Sequence, residues 1–157
     1  LVGDNKENLN KIKIYAWKGP NEVGNPLVDN AGAGWILAEN WWPYQRYTFA
    51  TPPFAGYTSG HSTFSIAGAE ILTHITGSPF FQGGLETFKA TKNEFLLFEN
   101  GPTEDVTLQW ATYYDAAIET SLSRVWGGIH PPADDIEGRR MGVKVAKNAI
   151  KFSKKYF

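Results

Sequence analysis

The 157-residue chain has a formal net charge of −1, with 42% hydrophobic and 20% charged residues, the balance of one ordinary globular domain. That charge argues against a nucleic-acid binder built on bulk positive potential, and no apolar run approaches the ~18 residues of a membrane span. The absence of cysteine excludes disulfides and thiolate metal sites.

With no visible signal peptide and Leu1 rather than Met at its start, the chain reads as a soluble processed protein or fragment, compatible with a periplasmic or secreted location. Residues 1–34 read as an irregular lead-in, polar and broken by Gly, Pro and Asn. They hold one short strand in KIKIYAW, residues 11–17. AGAGWILAENWW, residues 31–42, reads as a short helix ended near Pro43, and 43–60 as an extended, Pro-rich loop. The spacing of Phe64, Ala67, Ile71 and Ile75 predicts a first long helix over about 61–76, with Ser59 or Ser62 capping its start and Gly77 at its end.

Residues 78–101 leave two readings open. LETFKA and EFLLFE, joined by TKN, are either two short strands or a structured loop. A second helix is expected from about 103 to 124, capped by Thr103 and favoured at its start by Glu104 and Asp105. A third should run from near Pro132 toward 152, with Met141, Val145, Ala149 and Phe152 three or four residues apart and Ile136, Val143, Ala146 and Ile150 widening that apolar side. Three long helices imply a mainly α bundle with a short β or loop insertion near 80–100. So thin a bundle calls for a partner, a second copy or a further N-terminal part.

Two stretches carry the chemistry. In YTSGHS, Gly60 permits a tight backbone approach, and Ser59 offers a hydroxyl. The unpaired amides at the following helix start form a seat for an oxyanion. His61 would stand at its edge as a proton donor or acceptor. In SRVWGGIHPPADD, Arg124 presents a planar fork to two oxygens of an anion, and Gly127 and Gly128 turn the chain back. Asp134, four residues after His130, can hold one ring nitrogen and leave the other basic, as a nucleophilic or ligating histidine requires. Alone, the first stretch also fits a plain helix cap with a surface histidine, and the second a charged helix end with a capping Asp. Together they supply non-redundant pieces of one oxyanion pocket. His74 lies thirteen residues past His61, too far along the helix to share that pocket. Trp126 reads as packing. Trp35, Trp41 and Trp42 read as core or interface. Arg139 and Arg140, following Asp135 and Glu137, read as a solvated helix face.

SGHS paired with SRVWGGIHPPAD resembles the signature of the vanadium-dependent haloperoxidase and type 2 phosphatidic acid phosphatase superfamily. Its second motif is Pro-Ser-Gly-His, matched here by Ser59, Gly60 and His61 with Thr58 in place of Pro. Its third is Ser-Arg, five residues, His, three residues, Asp, matched by Ser123, Arg124, His130 and Asp134. WWPYQRYTFATPPFAGYTSGHSTFS and LQWATYYDAA are closer to the bacterial haloperoxidase-like branch. The resemblance runs from about Trp35 to Lys151. It implies that 35–157 is the core of the C-terminal part of a larger helical domain.

The resemblance also implies roles. Ser59, Gly60 and Arg124 would hold the oxygens of vanadate, or of phosphate as an alternative occupant, and His61 would be the acid–base group. In a peroxidase His130 ligates vanadium, and bound peroxide oxidises a halide. In a soluble acid phosphatase His130 attacks phosphorus of a phosphate ester. The superfamily's first motif, Lys, six residues, Arg-Pro, is not in this chain, and Arg46 is the only arginine before His61. The missing cations are expected from an N-terminal part or a second chain. The leading expectation is a vanadate-dependent peroxidase-like oxidoreductase. The alternatives are the phosphatase and a non-catalytic oligomerising or binding domain.

Overall fold

The computed structural model describes residues 10–156. They fold as two compact units. One comprises the chain up to Thr51 with Ala90–Val106, and the other comprises Pro52–Lys89 with Thr107–Phe157.

In the first unit, strand β1 (Lys13–Trp17) pairs antiparallel with β2 (Ala33–Leu37), placing Tyr15 opposite Trp35 and Trp17 opposite Ala33. The strand expected in KIKIYAW is therefore present. The helix expected over 31–42 is not, beyond a single 3₁₀ turn at Ala38–Asn40. Gly32 and Gly34 weaken a helix there, and β1 offers Trp35 to Leu37 a hydrogen-bonded partner. Trp17, Tyr44 and Phe98 pack edge to face, with centroids 5.0–5.8 Å apart. Beside them Glu99 is buried. Its carboxylate accepts from Trp17 Nε1 at 3.0 Å, Ala31 N at 3.1 Å and Tyr44 Oη at 2.6 Å. EFLLFE is thus a structured loop.

The second unit is built on three helices, α1 (Gly60–Thr76), α2 (Tyr113–Trp126) and α3 (Pro132–Ser153), with α1 packed along both of the others. Strand β3 (Glu86–Ala90) falls within LETFKA, but its partner is β4 (Val106–Trp110). This corrects the expected helix over 103–124. Val106 to Trp110 is rich in strand-favouring residues, and pairing with β3 decides its state. α2 instead starts at Tyr113 with a reciprocal cap. Thr112 Oγ1 accepts from Asp115 N at 3.0 Å, and Asp115 Oδ2 accepts from Thr112 N at 2.8 Å. The fold is mainly α, as the sequence implies.

The packed faces match the expected ones only in part: Ala67 and Ala146 are buried and Val143 packs on the core, as expected. Phe64 and Ile75 are 81% and 73% exposed, whereas Ser62, Ile66 and Ala69 are buried. On α3 the buried positions are Asp135, Gly138, Gly142 and Ala146, and Met141, Val145 and Phe152 are exposed. The cause is a backbone-to-backbone approach. A Cβ on Gly142 would lie 2.5 Å from the Thr63 carbonyl oxygen, and one on Gly138 would lie 2.9 Å from that of Ser59. Only glycine lets α1 and α3 come so close. Ile66, Ala69 and Ala117 form the apolar centre, flanked by Tyr113, Tyr114, Ile118 and Val143.

Candidate oxyanion site

The approach of α3 to α1 brings both motifs together in the second unit. Ser59 caps α1 and is fully buried, its Oγ accepting from Ser62 N at 3.3 Å. The first intrahelical bond is Thr63 N to the Ser59 carbonyl at 3.0 Å. The amides of Gly60 and His61 precede it and point out of the helix start. A Cβ on Gly60 would meet nothing within 4 Å, so the space beside it is open.

The second motif folds back through its turn. Gly128 has φ 70°, a conformation other residues rarely adopt, and the Arg124 carbonyl accepts from Ile129 N at 2.9 Å and His130 N at 3.2 Å. His130 is thereby tied to the last turn of α2. Asp134, in the first turn of α3, holds His130 Nδ1 at 3.0 Å, with both side chains about 15% exposed. The Asp134 carbonyl accepts from Ser59 N at 3.1 Å, linking the two motifs directly. Gly56 runs alongside, since a Cβ there would lie 3.5 Å from Asp134 Oδ2 and 4.0 Å from the His130 ring.

The electrostatics report the same gathering. Although much of His61 is open to solvent, burial of the rest lowers its pKa, and the charges of Arg124 and His130 lower it further. Burial also lowers the pKa of Arg124, whose guanidinium nevertheless remains a fixed cation at neutral pH. Arg124 Nε is buried with no hydrogen-bond partner among the described residues. A buried, unpaired guanidinium N–H beside an open helix start calls for an acceptor from outside the chain. A tetrahedral oxyanion such as vanadate or phosphate fits that demand.

His74 is exposed on α1, Trp126 is 67% exposed rather than packed, and Arg46 belongs to the first unit. Trp35, Trp41 and Trp42 are 62%, 43% and 41% exposed. A cleft of about 880 Å³ in the first unit is lined by residues that include Trp41, Trp42 and Tyr47 and none of the histidines. One reading of the α3 face is overturned. Asp135 is buried and pairs with Arg139, so of these two α3 pairs Arg140–Glu137 is the solvated one. The signal available was the i, i+3, i+4 recurrence of small residues Gly138, Gly142 and Ala146 on the same face as Asp135.

The model of the VCPO second helical-bundle domain matches residues 6–157. The chain belongs to the vanadium-dependent haloperoxidase superfamily. Two solved structures of a bacterial vanadium-dependent chloroperoxidase, holo-type and apo-type, are similar in fold, each with TM-score 0.72 and 23% identity. They align over 93% and 91% of this chain, and the chain spans 28% of the length of each. No curated protein matches it. Among the described residues, no helix is long and apolar enough to cross a membrane.

Proposed function

We propose that this chain supplies the histidine side of the site of a vanadate-dependent, peroxidase-like oxidoreductase whose small substrates are peroxide and a halide. The observation that carries this reading is the unpartnered, buried Nε of Arg124 next to a histidine whose other nitrogen is already held. Asp134 accepts from the Nδ1–H of His130, which fixes the tautomer and leaves Nε2 as the basic, ligating nitrogen. Arg124 and the amides of Gly60 and His61 would hold the oxyanion's oxygens, with buried Ser59 fixing the helix start that presents those amides. His61, its pKa lowered by burial and by the charges of Arg124 and His130, would be the group that takes a proton. Bound vanadate would supply the Lewis acidity that activates peroxide toward halide.

The Lys and Arg-Pro of the first motif lie outside these residues. In this reading the chain is the C-terminal part of a larger helical domain, and the missing cations come from an N-terminal part or a second chain. The test uses the complete protein freed of metal oxyanions. Peroxide-dependent bromide oxidation should appear only after vanadate is added, and His130→Ala should abolish it. Phosphate-ester hydrolysis that vanadate inhibits, without halide oxidation, would replace this reading with the phosphatase. Full activity of His130→Ala would overturn both.

A further inference from the structure

Three helices meet at one buried ion pair that the site chemistry does not use. Asp135 is 3% exposed, and Ser62 and Ser121 are fully buried. Asp135 Oδ1 accepts from Ser62 Oγ of α1 at 2.7 Å and from Ser121 Oγ of α2. Arg139, one turn along α3, donates Nη2 to Oδ2 at 2.5 Å and directs Nε toward Ser121 Oγ at 2.9 Å and Oδ1 at 3.2 Å. Each serine has one hydroxyl hydrogen and gives it to the carboxylate, so the 2.8 Å approach of the two hydroxyl oxygens is packing rather than a further bond.

The location gives this pair its consequence. Asp134, the preceding residue, holds His130 through its side chain and Ser59 through its carbonyl. The N-cap of α3 is Pro131, which makes no side-chain cap, so α3 does not fix its own start. Gly138 presents no side chain to key against the Ser59 carbonyl. The polar contacts of Asp135 therefore set where the first turn of α3 stands against α1 and α2.

We propose that Asp135, clamped by Ser62, Ser121 and Arg139, is a positioning residue that sets the placement of His130 and Ser59 for oxyanion binding. This rests on the oxyanion reading of the site. Outer partners of a ligating group commonly change affinity about ten- to a hundredfold.

The test compares Asp135→Asn, Ser121→Ala and Tyr114→Phe in the complete protein. The last removes a 2.6 Å bond to Glu70 that joins the same two helices, α1 and α2, without touching the clamp. Vanadate and phosphate affinities are measured by calorimetry well below each thermal midpoint, and the Nδ1–H resonance of His130 is followed by NMR. Asp135→Asn should weaken vanadate binding about tenfold and Ser121→Ala about threefold, each shifting the His130 resonance. Tyr114→Phe should lower the midpoint and change neither readout. A folded Asp135→Asn or Ser121→Ala protein with unchanged affinity, or an unchanged His130 resonance, overturns the proposal. If Asp135→Asn does not fold, Ser121→Ala decides. If the unaltered protein binds neither anion, the oxyanion reading falls, and the His130 resonance alone decides whether Asp135 positions that ring.

Discussion

Among the described residues each unit buries one carboxylate, and the two are satisfied in opposite ways. Glu99, in the first unit, accepts from an indole, a backbone amide and a phenol, all neutral. Asp135, in the second, accepts from two hydroxyls and a guanidinium. The Glu99 contacts come from Trp17, Ala31 and Tyr44, far apart in sequence, so this carboxylate holds loops and a strand end together. The Asp135 contacts come from α1, α2 and α3, so it sets the register of helices. A buried charge with neutral donors ties down chain, while a buried ion pair between helices restricts the sliding that backbone-close packing would otherwise permit.

Removing the Asp135 carboxylate is expected to be the most damaging change. Asp135→Ala leaves Arg139 without its partner and two buried hydroxyls without an acceptor. Such a loss costs about 3–5 kcal/mol, and the partial exposure of Arg139 puts this case near the lower end. Glu99→Gln should cost about 2 kcal/mol, because the amide keeps one acceptor oxygen but turns donors toward donors. Urea unfolding gives both values. Vanadate affinity separates the pair, since Glu99→Gln should leave it unchanged. Equal loss of affinity in both variants would erase the distinction.

The sequence showed the chemistry of the second unit more clearly than its packing. Ser59, Gly60, His61, Arg124, His130 and Asp134 stand out in the sequence by residue type and spacing, and the fold joins the two motifs through Ser59 N and the Asp134 carbonyl. Asp135 and Arg139 do not stand out, because an i, i+4 acid–base pair looks the same on a solvated helix as in a buried one. Apolar periodicity points to Met141, Val145 and Phe152, which are exposed, and to Val143 and Ala146, which do pack inward, but it gives no sign of buried Gly138 and Gly142. Volume is minimised where backbones touch, so hydrophobicity is a poor guide to that face. The second helix was misplaced because Pro102, Thr103 and Glu104 imitate a helix start, while the working cap is Thr112 with Asp115. Its strand neighbour Val106–Trp110 depends on β3, a partner about twenty residues earlier that no local window contains.

The close approach of α1 and α3 can be broken with one methyl group. Gly142→Ala puts a Cβ 2.5 Å from the Thr63 carbonyl, and Gly138→Ala puts one 2.9 Å from the Ser59 carbonyl. In both the obstacle is backbone, so the helices must separate, at a cost of about 1–3 kcal/mol. Gly142→Ala should be the more destabilising in urea. Gly138→Ala should weaken vanadate binding more, because it displaces the residue that caps α1 at the site. The reverse order of the two affinities would show that helix separation alone, not displacement of Ser59, governs the site.

The smallest effects lie in pH. Burial raises the Tyr44 pKa, and the hydrogen bond from Tyr44 to Glu99 and that carboxylate's charge raise it further. A phenol held neutral in this way stabilises the fold fully below its unfolded value near pH 10. That contribution is lost as pH rises through the higher folded value. Asp135 runs the other way. Burial would raise its pKa, but the bonds from Ser121, Arg139 and Ser62 and the charge of Arg139 outweigh that and leave it lowered. Its contribution is present above about pH 4 and lost as pH falls through the folded value. Four of the six tryptophans, Trp17, Trp35, Trp41 and Trp42, lie in the first unit, so fluorescence during urea unfolding weights that unit. Tyr44→Phe should remove the part of the loss above pH 10 that this signal reports and leave the loss below pH 4 intact. Tyr114, held above its usual value by burial and by Glu70, keeps a separate alkaline loss in the second unit. An unchanged alkaline loss after Tyr44→Phe would mean that burial and Glu99 do not hold the Tyr44 phenol neutral in the folded protein.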